Sequence, residues 1–327
     1  MTERENYLMV LEGKQPEWVP YYRDACDWVI PWITTSYMAE EEKIDFVGAR
    51  WVIDEAGPMV DTRRPALDDI SKWREVVHLP DVDSFDWEKY AEQDLKAHNP
   101  DKAIAVMPGL GGGSFFIPLM NMMGFAEGLC AMFEEGEEVK ALFDHFMAWY
   151  EKLLPKCIEY YHPDVMIMGD DICTANGPFI GREVYEELIR PYFKRCIEIC
   201  KNAGVKFELH MCGKCETFID DFVQMGIDVW EPAQPLNDLE AIKKKYGNRL
   251  VLNGVWFTAG PGGVPGAPEK LVREEARECI RQYAPGGGYV FWDGDPVGGS
   301  EDMKRKIGWL ADEVRSYGKN FYKESAV

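Results

Sequence analysis

Short apolar runs occur at 104–107, 165–168, 206–212, 228–230, 250–252 and 289–292, with polar stretches of helical periodicity between them. Alternation of this kind predicts parallel strands joined by helices. Between the runs, 183–201 places Val184, Leu188, Ile189, Phe193, Ile197 and Cys200 at helical spacing and ends at Asn202-Ala203-Gly204. Likewise 215–225 puts Phe218, Ile219, Phe222, Val223 and Met225 on one side before Gly226. Two weaker runs, 19–22 and 49–53, bring the strand candidates to about eight, the number that closes a (β/α)8 TIM barrel.

Polar or glycine residues follow each run. They are Gly109-Leu110-Gly111-Gly112-Gly113-Ser114, Gly169-Asp170-Asp171, His210-Met211-Cys212, Glu231-Pro232, Asn253-Gly254 and Asp293-Gly294-Asp295. In a barrel these ends meet at one mouth, where active sites form. A doubly wound open sheet also binds ligands at strand ends, so the pattern speaks more for an enzyme than for barrel closure.

The chain has 327 residues and 46% hydrophobic content, enough for a sizeable core, but no run of the roughly 18 apolar residues that a membrane span needs. Its start has neither the basic nor the apolar layout of a signal peptide, and its nine cysteines are scattered, so a cytoplasmic protein is expected. A net charge of −21 excludes a nucleic-acid or anionic-membrane surface and disfavours polyanionic substrates.

Within Phe207-Glu208-Leu209-His210-Met211-Cys212-Gly213 the imidazole and the thiol lie two residues apart, and on an extended backbone they share a face. That pairing suits a soft metal such as zinc, which needs three protein ligands in a catalytic site. The competing reading is a hydrogen-bonded core histidine beside a buried thiol. Asp170-Asp171 is a carboxylate pair in which Asp171 is expected near the substrate and Asp170 in support. Phe115, Phe116, Met120, Met122 and Met123 offer an apolar wall for a flat ring, although such spacing equally serves a core. Gly111-Gly112-Gly113 lacks the Gly-Lys-Ser/Thr of a nucleotide loop, and close approach of substrate to bare backbone is its better use.

The runs Asp170-Asp171-Ile172-Cys173-Thr174-Ala175-Asn176-Gly177-Pro178, Ile189-Arg190-Pro191-Tyr192-Phe193-Lys194 and His210-Met211-Cys212-Gly213 resemble the uroporphyrinogen decarboxylase superfamily, and within it the corrinoid-dependent methyltransferases. The resemblance covers nearly the whole chain. It implies a single TIM-barrel domain over 1–327 with an N-terminal extension. The decarboxylase itself carries an arginine-rich segment after its first strand for a polycarboxylate tetrapyrrole, whereas 21–28 here has one arginine between acids. The methyltransferase branch bears a His-x-Cys zinc motif with a later cysteine. His210 and Cys212 match its first part, and alignment by the glycine puts Asp295 at the third place, since no cysteine follows Cys279. Glu231 or Cys215 could contribute instead.

Branch members that methylate a thiol use strong sulfur donation. A site with fewer sulfurs is a stronger Lewis acid toward oxygen. The stretches Trp51-Val52-Ile53-Asp54-Glu55-Ala56-Gly57-Pro58-Met59 and Asp69-Ile70-Ser71-Lys72-Trp73-Arg74-Glu75 more closely resemble methyltransferases that demethylate methoxylated aromatics. The implied activity moves a methyl group from an aromatic methyl ether to the Co(I) of a corrinoid, as the first component of an O-demethylase. Asp171 and Glu231 are the expected catalytic acids, and Phe115, Phe116, Met120 and Asn253 the expected substrate contacts. None of the five histidines stands two residues after an aspartate, so the Asp-x-His-x-x-Gly cobalamin motif is missing and the corrinoid must arrive on a separate protein. The alternatives are a decarboxylase acting on a tetrapyrrole, a thiol-methylating methylcobamide enzyme, and a barrel that only binds.

Overall fold

The computed structural model describes residues 1–54, 57–294 and 299–324. Among the described residues eleven strands are formed: β1 Cys26–Val29, β2 Trp51–Asp54, β3 Gly57–Val60, β4 Ala103–Val106, β5 Val165–Gly169, β6 Cys173–Thr174, β7 Gly177–Pro178, β8 Lys206–His210, β9 Val229–Ala233, β10 Val251–Val255 and β11 Tyr289–Trp292. Seven build one sheet in the order β1-β4-β5-β8-β9-β10-β11. Every pairing in it is parallel. The sheet curls in the manner of a TIM barrel, with helices between successive strands.

The six central apolar runs become β4, β5, β8, β9, β10 and β11, while the two weak candidates resolve differently. Near 19–22, Tyr21 makes an isolated parallel bridge to Phe291, supported by the Phe291 N–H donating to the Pro20 carbonyl at 2.9 Å. The backbone then turns helically over Tyr22–Ala25, and β1 follows as the strand that pairs with β4. The run 49–53 does not join the parallel sheet. Its residues enter the antiparallel β2–β3 hairpin, with Trp51 opposite Val60 and Ile53 opposite Pro58. The single helix expected over 183–201 is two, Arg182–Leu188 and Arg190–Asn202. Pro191 explains the break, because its ring and missing N–H are tolerated only in a first helical turn.

Side chains on the strands alternate between two cores. Ala103, Ala105, Val165, Ile167, Val229, Val251, Val290 and Trp292 face the inside of the curl. They pack there with Tyr7, Val10 and Leu11 of the N-terminal helix Glu3–Leu11. This helix is the expected N-terminal extension, and Arg4 fastens it to Asp164 at the entry of β5 at 2.6 Å. Met166, Met168, Phe207, Leu209, Trp230, Leu252 and Phe291 face outward into the helix layer. Among the described residues no single helix is long and apolar enough to cross a membrane. Helices Phe116–Met123 and Phe125–Glu134 pass that test only as a pair bent by 117°.

Candidate active site

The carboxyl ends of β5 and β8 are brought together by register. Gly169 pairs with His210, so Asp171 and Cys212 each lie two residues beyond the same rung. Glycine is required at 169 because a Cβ there would sit 2.0 Å from the His210 carbonyl oxygen. The Cys212 N–H donates to Asp171 Oδ1 at 2.8 Å, which locks the two loops together.

His210 Nδ1 lies 2.6 Å from Glu231 Oε2, and Glu231 is buried in the middle of β9. Its Nε2 is 3.8 Å from Cys212 Sγ and 3.8 Å from Asp171 Oδ1. One nitrogen, one sulfur and one oxygen thus lie within 4.8 Å of one another. A tetrahedral ion with ligand bonds of about 2.0–2.3 Å needs its donors about 3.3–3.8 Å apart, so the triad fits a small metal ion with little movement. The mixed N, S, O donor set matches borderline-soft divalent metals.

Burial pushes the His210 pKa down, but the Glu231 carboxylate against its ring, helped by Cys212 and Asp171, overrides this and holds it well above the usual histidine value. Burial raises the Cys212 thiol, and His210 partly offsets that.

Asp170 points away from the triad. Its carboxylate accepts the backbone N–H groups of Ser114, Phe115, Phe116 and Ile117 at 3.0, 2.8, 3.1 and 2.9 Å. These are donors at the start of helix Phe116–Met123, which has no side-chain cap of its own. Gly113 makes room, since a Cβ there would stand 2.6 Å from Asp170 Oδ1. Burial raises the Asp170 pKa to about 6, against the pull of those four N–H groups.

Several expected site residues lie elsewhere. Phe115 packs against Phe143, Tyr150, Tyr192 and Phe193, and Phe116 against Phe125 and Phe179. Met120 is buried beside Gly128. All three are buried in the core of the helix layer and are not among the described residues that line the cavity beside His210. Asn253 is fully buried inside the curl, where its Nδ2 donates to Glu208 Oε1 at 3.2 Å. It is beneath the site and does not line the cavity. Glu231 stands behind the imidazole. Asp295, the expected third ligand, lies outside the described residues, and the carboxylate found with His210 and Cys212 is Asp171.

A cavity of about 360 Å³ opens beside His210. Its walls come from the β1 end (Ile30, Thr34, Thr35, Tyr37, Met38), the hairpin (Trp51, Pro58), the glycine-rich loop 107–114 and the β5 end at Ile167, Met168 and Gly169. Asp45 accepts from Trp51 Nε1 at 2.7 Å and thereby fixes the indole. Gly111 lies directly under it, because a Cβ at 111 would be 2.8 Å from Asp45 Oδ2 and 3.6 Å from Trp51 Cζ2. Tyr37, Met38 and Trp51 were not identifiable as site residues from the chain. The available signal was a tryptophan and an aspartate six residues apart around a turn, which has no specific chemical meaning alone.

Residues 56–297 match the family model described as uroporphyrinogen decarboxylase (URO-D), about three quarters of the chain. No curated protein sequence matches. Among solved structures, a methyltransferase from Methanosarcina mazei superposes over 97% of this chain and 99% of its own length with a TM-score of 0.68 at 12% identity, a likeness of fold. A sugar phosphate isomerase/epimerase from Parabacteroides distasonis overlaps 90% of this chain and 95% of its own, with a TM-score of 0.39 at 12% identity.

Proposed function

Because the chain belongs to the uroporphyrinogen decarboxylase family, we propose that it is a corrinoid-dependent methyltransferase whose 327 residues form one barrel domain. It takes a methyl group from an aromatic methyl ether and delivers it to the Co(I) corrinoid of a separate protein, as the first component of an O-demethylase. The observation that carries this reading is the Asp171, His210 and Cys212 triad at the edge of an apolar cavity. A decarboxylase acting on a tetrapyrrole would need cationic side chains for its carboxylates, and the described residues that line the cavity include no Lys or Arg. The likeness of fold to the Methanosarcina mazei methyltransferase supports the same choice. Nine free cysteines support a reducing, cytoplasmic setting.

Breaking an aryl ether is difficult because the phenolate that leaves has a conjugate acid of pKa about 10. A zinc ion held by Asp171, His210 and Cys212 would supply Lewis-acid polarisation of the ether oxygen. The rest falls to the chain. Glu231 accepts from His210 Nδ1 and so keeps Nε2 turned toward Cys212 and Asp171. Trp51, Tyr37 and Met38 hold an apolar ring and exclude water from it. The Cys212 N–H on Asp171 keeps that carboxylate beside the imidazole.

The test is incubation of the metal-loaded enzyme with a reduced corrinoid protein and a methoxyarene. Release of the phenol together with methylation of the corrinoid is expected. Absence of both, with tetrapyrrole decarboxylation in a parallel assay, contradicts the proposal.

A further inference from the structure

The cavity beside His210 is lined by apolar side chains, bare glycine backbone and a few hydroxyls, and its one strongly basic group, His210, is already engaged by Glu231. From this we infer that the site accepts only uncharged rings and rejects a ring bearing a carboxylate. The inference rests on the methyl-ether reading and narrows its substrate class.

Three observations carry it. Thr34, Thr35 and Ser114 are the polar side chains other than His210 and the Tyr37 phenol that reach the cavity. None of them carries a charge that could neutralise an anion, and a divalent ion held by Asp171, His210 and Cys212 would already be balanced by the carboxylate and the thiolate that hold it. The Thr34 hydroxyl is, moreover, committed to the Pro31 carbonyl at 2.8 Å. Second, Arg23 and Arg63, on the segments before β1 and after β3, are held by acids of their own. Arg23 lies on Asp293 at 2.8 Å and also donates to the Gly294 carbonyl, and Arg63 lies on Asp61 at 2.6 Å. Residues 55–56 and 295–298, outside the described residues, are Glu, Ala, Asp, Pro, Val and Gly and include no cationic side chain. Third, the carboxylates of Asp171 and Glu231 stand at the His210 end, so a second anion there meets like charge. An ionised carboxylate moved from water into such a site loses its hydration with no cationic side chain among the described lining residues to offset the loss. The neutral ring gains stacking area on Trp51 instead.

The experiment is equilibrium binding to the metal-loaded protein at neutral pH, without corrinoid, of three rings: guaiacol, vanillate and the methyl ester of vanillate. The ester keeps the size of the acid and removes its charge. The expected result is that guaiacol and the ester bind and that vanillate binds about a hundred-fold more weakly or not at all. Thr35→Arg, which places a guanidinium in the wall, is expected to restore vanillate binding. For a wild-type check independent of that variant, vanillate affinity should rise as pH falls toward its carboxyl pKa while the ester's stays constant. Vanillate binding within about threefold of its ester overturns the inference, and so does failure of both neutral rings to bind. Selective binding of the neutral rings with no methyl transfer to any corrinoid protein would sink the proposed function and leave this selectivity standing.

Discussion

Glu231 holds His210 from behind: its Oε2 lies 2.6 Å from His210 Nδ1, and the opposite ring nitrogen faces Cys212 and Asp171. The contact does two things at once. It fixes which nitrogen is free, and it makes that nitrogen a better donor, because a carboxylate on the N–H raises the basicity of the ring.

Glu231→Gln keeps the shape and removes the charge. Metal affinity is expected to fall about 10- to 100-fold, measured by competition with a chelator, while the folded structure is retained. In the metal-free protein the His210 pKa should fall toward its ordinary value, since the Glu231 charge is the principal group holding it up. Unchanged affinity and an unchanged imidazole titration would show that Glu231 is not a positioning residue.

Asp170→Ala removes the acceptor of four backbone N–H groups at the start of helix Phe116–Met123. Each buried donor left unsatisfied costs about 1–3 kcal/mol, so a loss of about 3 kcal/mol or more is expected, read as a drop of several degrees in Tm. The glycine-rich cavity wall hangs on the same contacts, so ring binding should weaken with it. A Tm equal to wild type contradicts the structural role.

Glu208 lies inside the curl, fully buried, where its Oε1 accepts the Tyr22 hydroxyl at 2.6 Å and the Asn253 amide at 3.2 Å. Burial, and then the neighbouring Glu231 charge, raise its pKa to about 8. The folded state therefore binds this proton more tightly than the unfolded chain. The resulting stability is fully present below the ordinary carboxyl pKa near 4.5 and is lost as pH rises through about 8. Glu208→Gln, neutral at every pH, should remove that dependence. Wild-type Tm is expected to fall relative to the variant from about pH 4.5 to about pH 8 and to level off above that, and parallel curves across this range would contradict the assignment.

Much of the parallel sheet was legible in the chain because β4, β5, β8, β9, β10 and β11 are short runs of apolar residues bounded by turn residues. Residues 49–53 read as a weaker run of the same kind, yet Ile53 is 59% exposed on a hairpin, since hydrophobic content does not say what a strand pairs with. Strand β1 escaped notice because Asp27 interrupts it, and only the fold supplies that carboxylate's partners, His98 and Lys102. His210 and Cys212 could be paired from a spacing of two residues. Asp171 could not be joined to them in the same way, because its position depends on the register that sets Gly169 opposite His210. Phe115 and Phe116, expected to wall a ring, are in the core, and the aromatic side chain from the antiparallel hairpin that lines the cavity is Trp51.

The central claim, a metal centre made by Asp171, His210 and Cys212, is tested most directly by metal content. The measurement is elemental analysis of the purified wild-type chain beside Asp171→Ala, His210→Ala, Cys212→Ala and Asp295→Ala. About one metal ion per wild-type chain is expected, with its loss in the first three variants and its retention in Asp295→Ala. A wild-type chain that takes up no metal, or an Asp171→Ala chain that keeps its full complement while Asp295→Ala loses it, would contradict a centre built on these three residues.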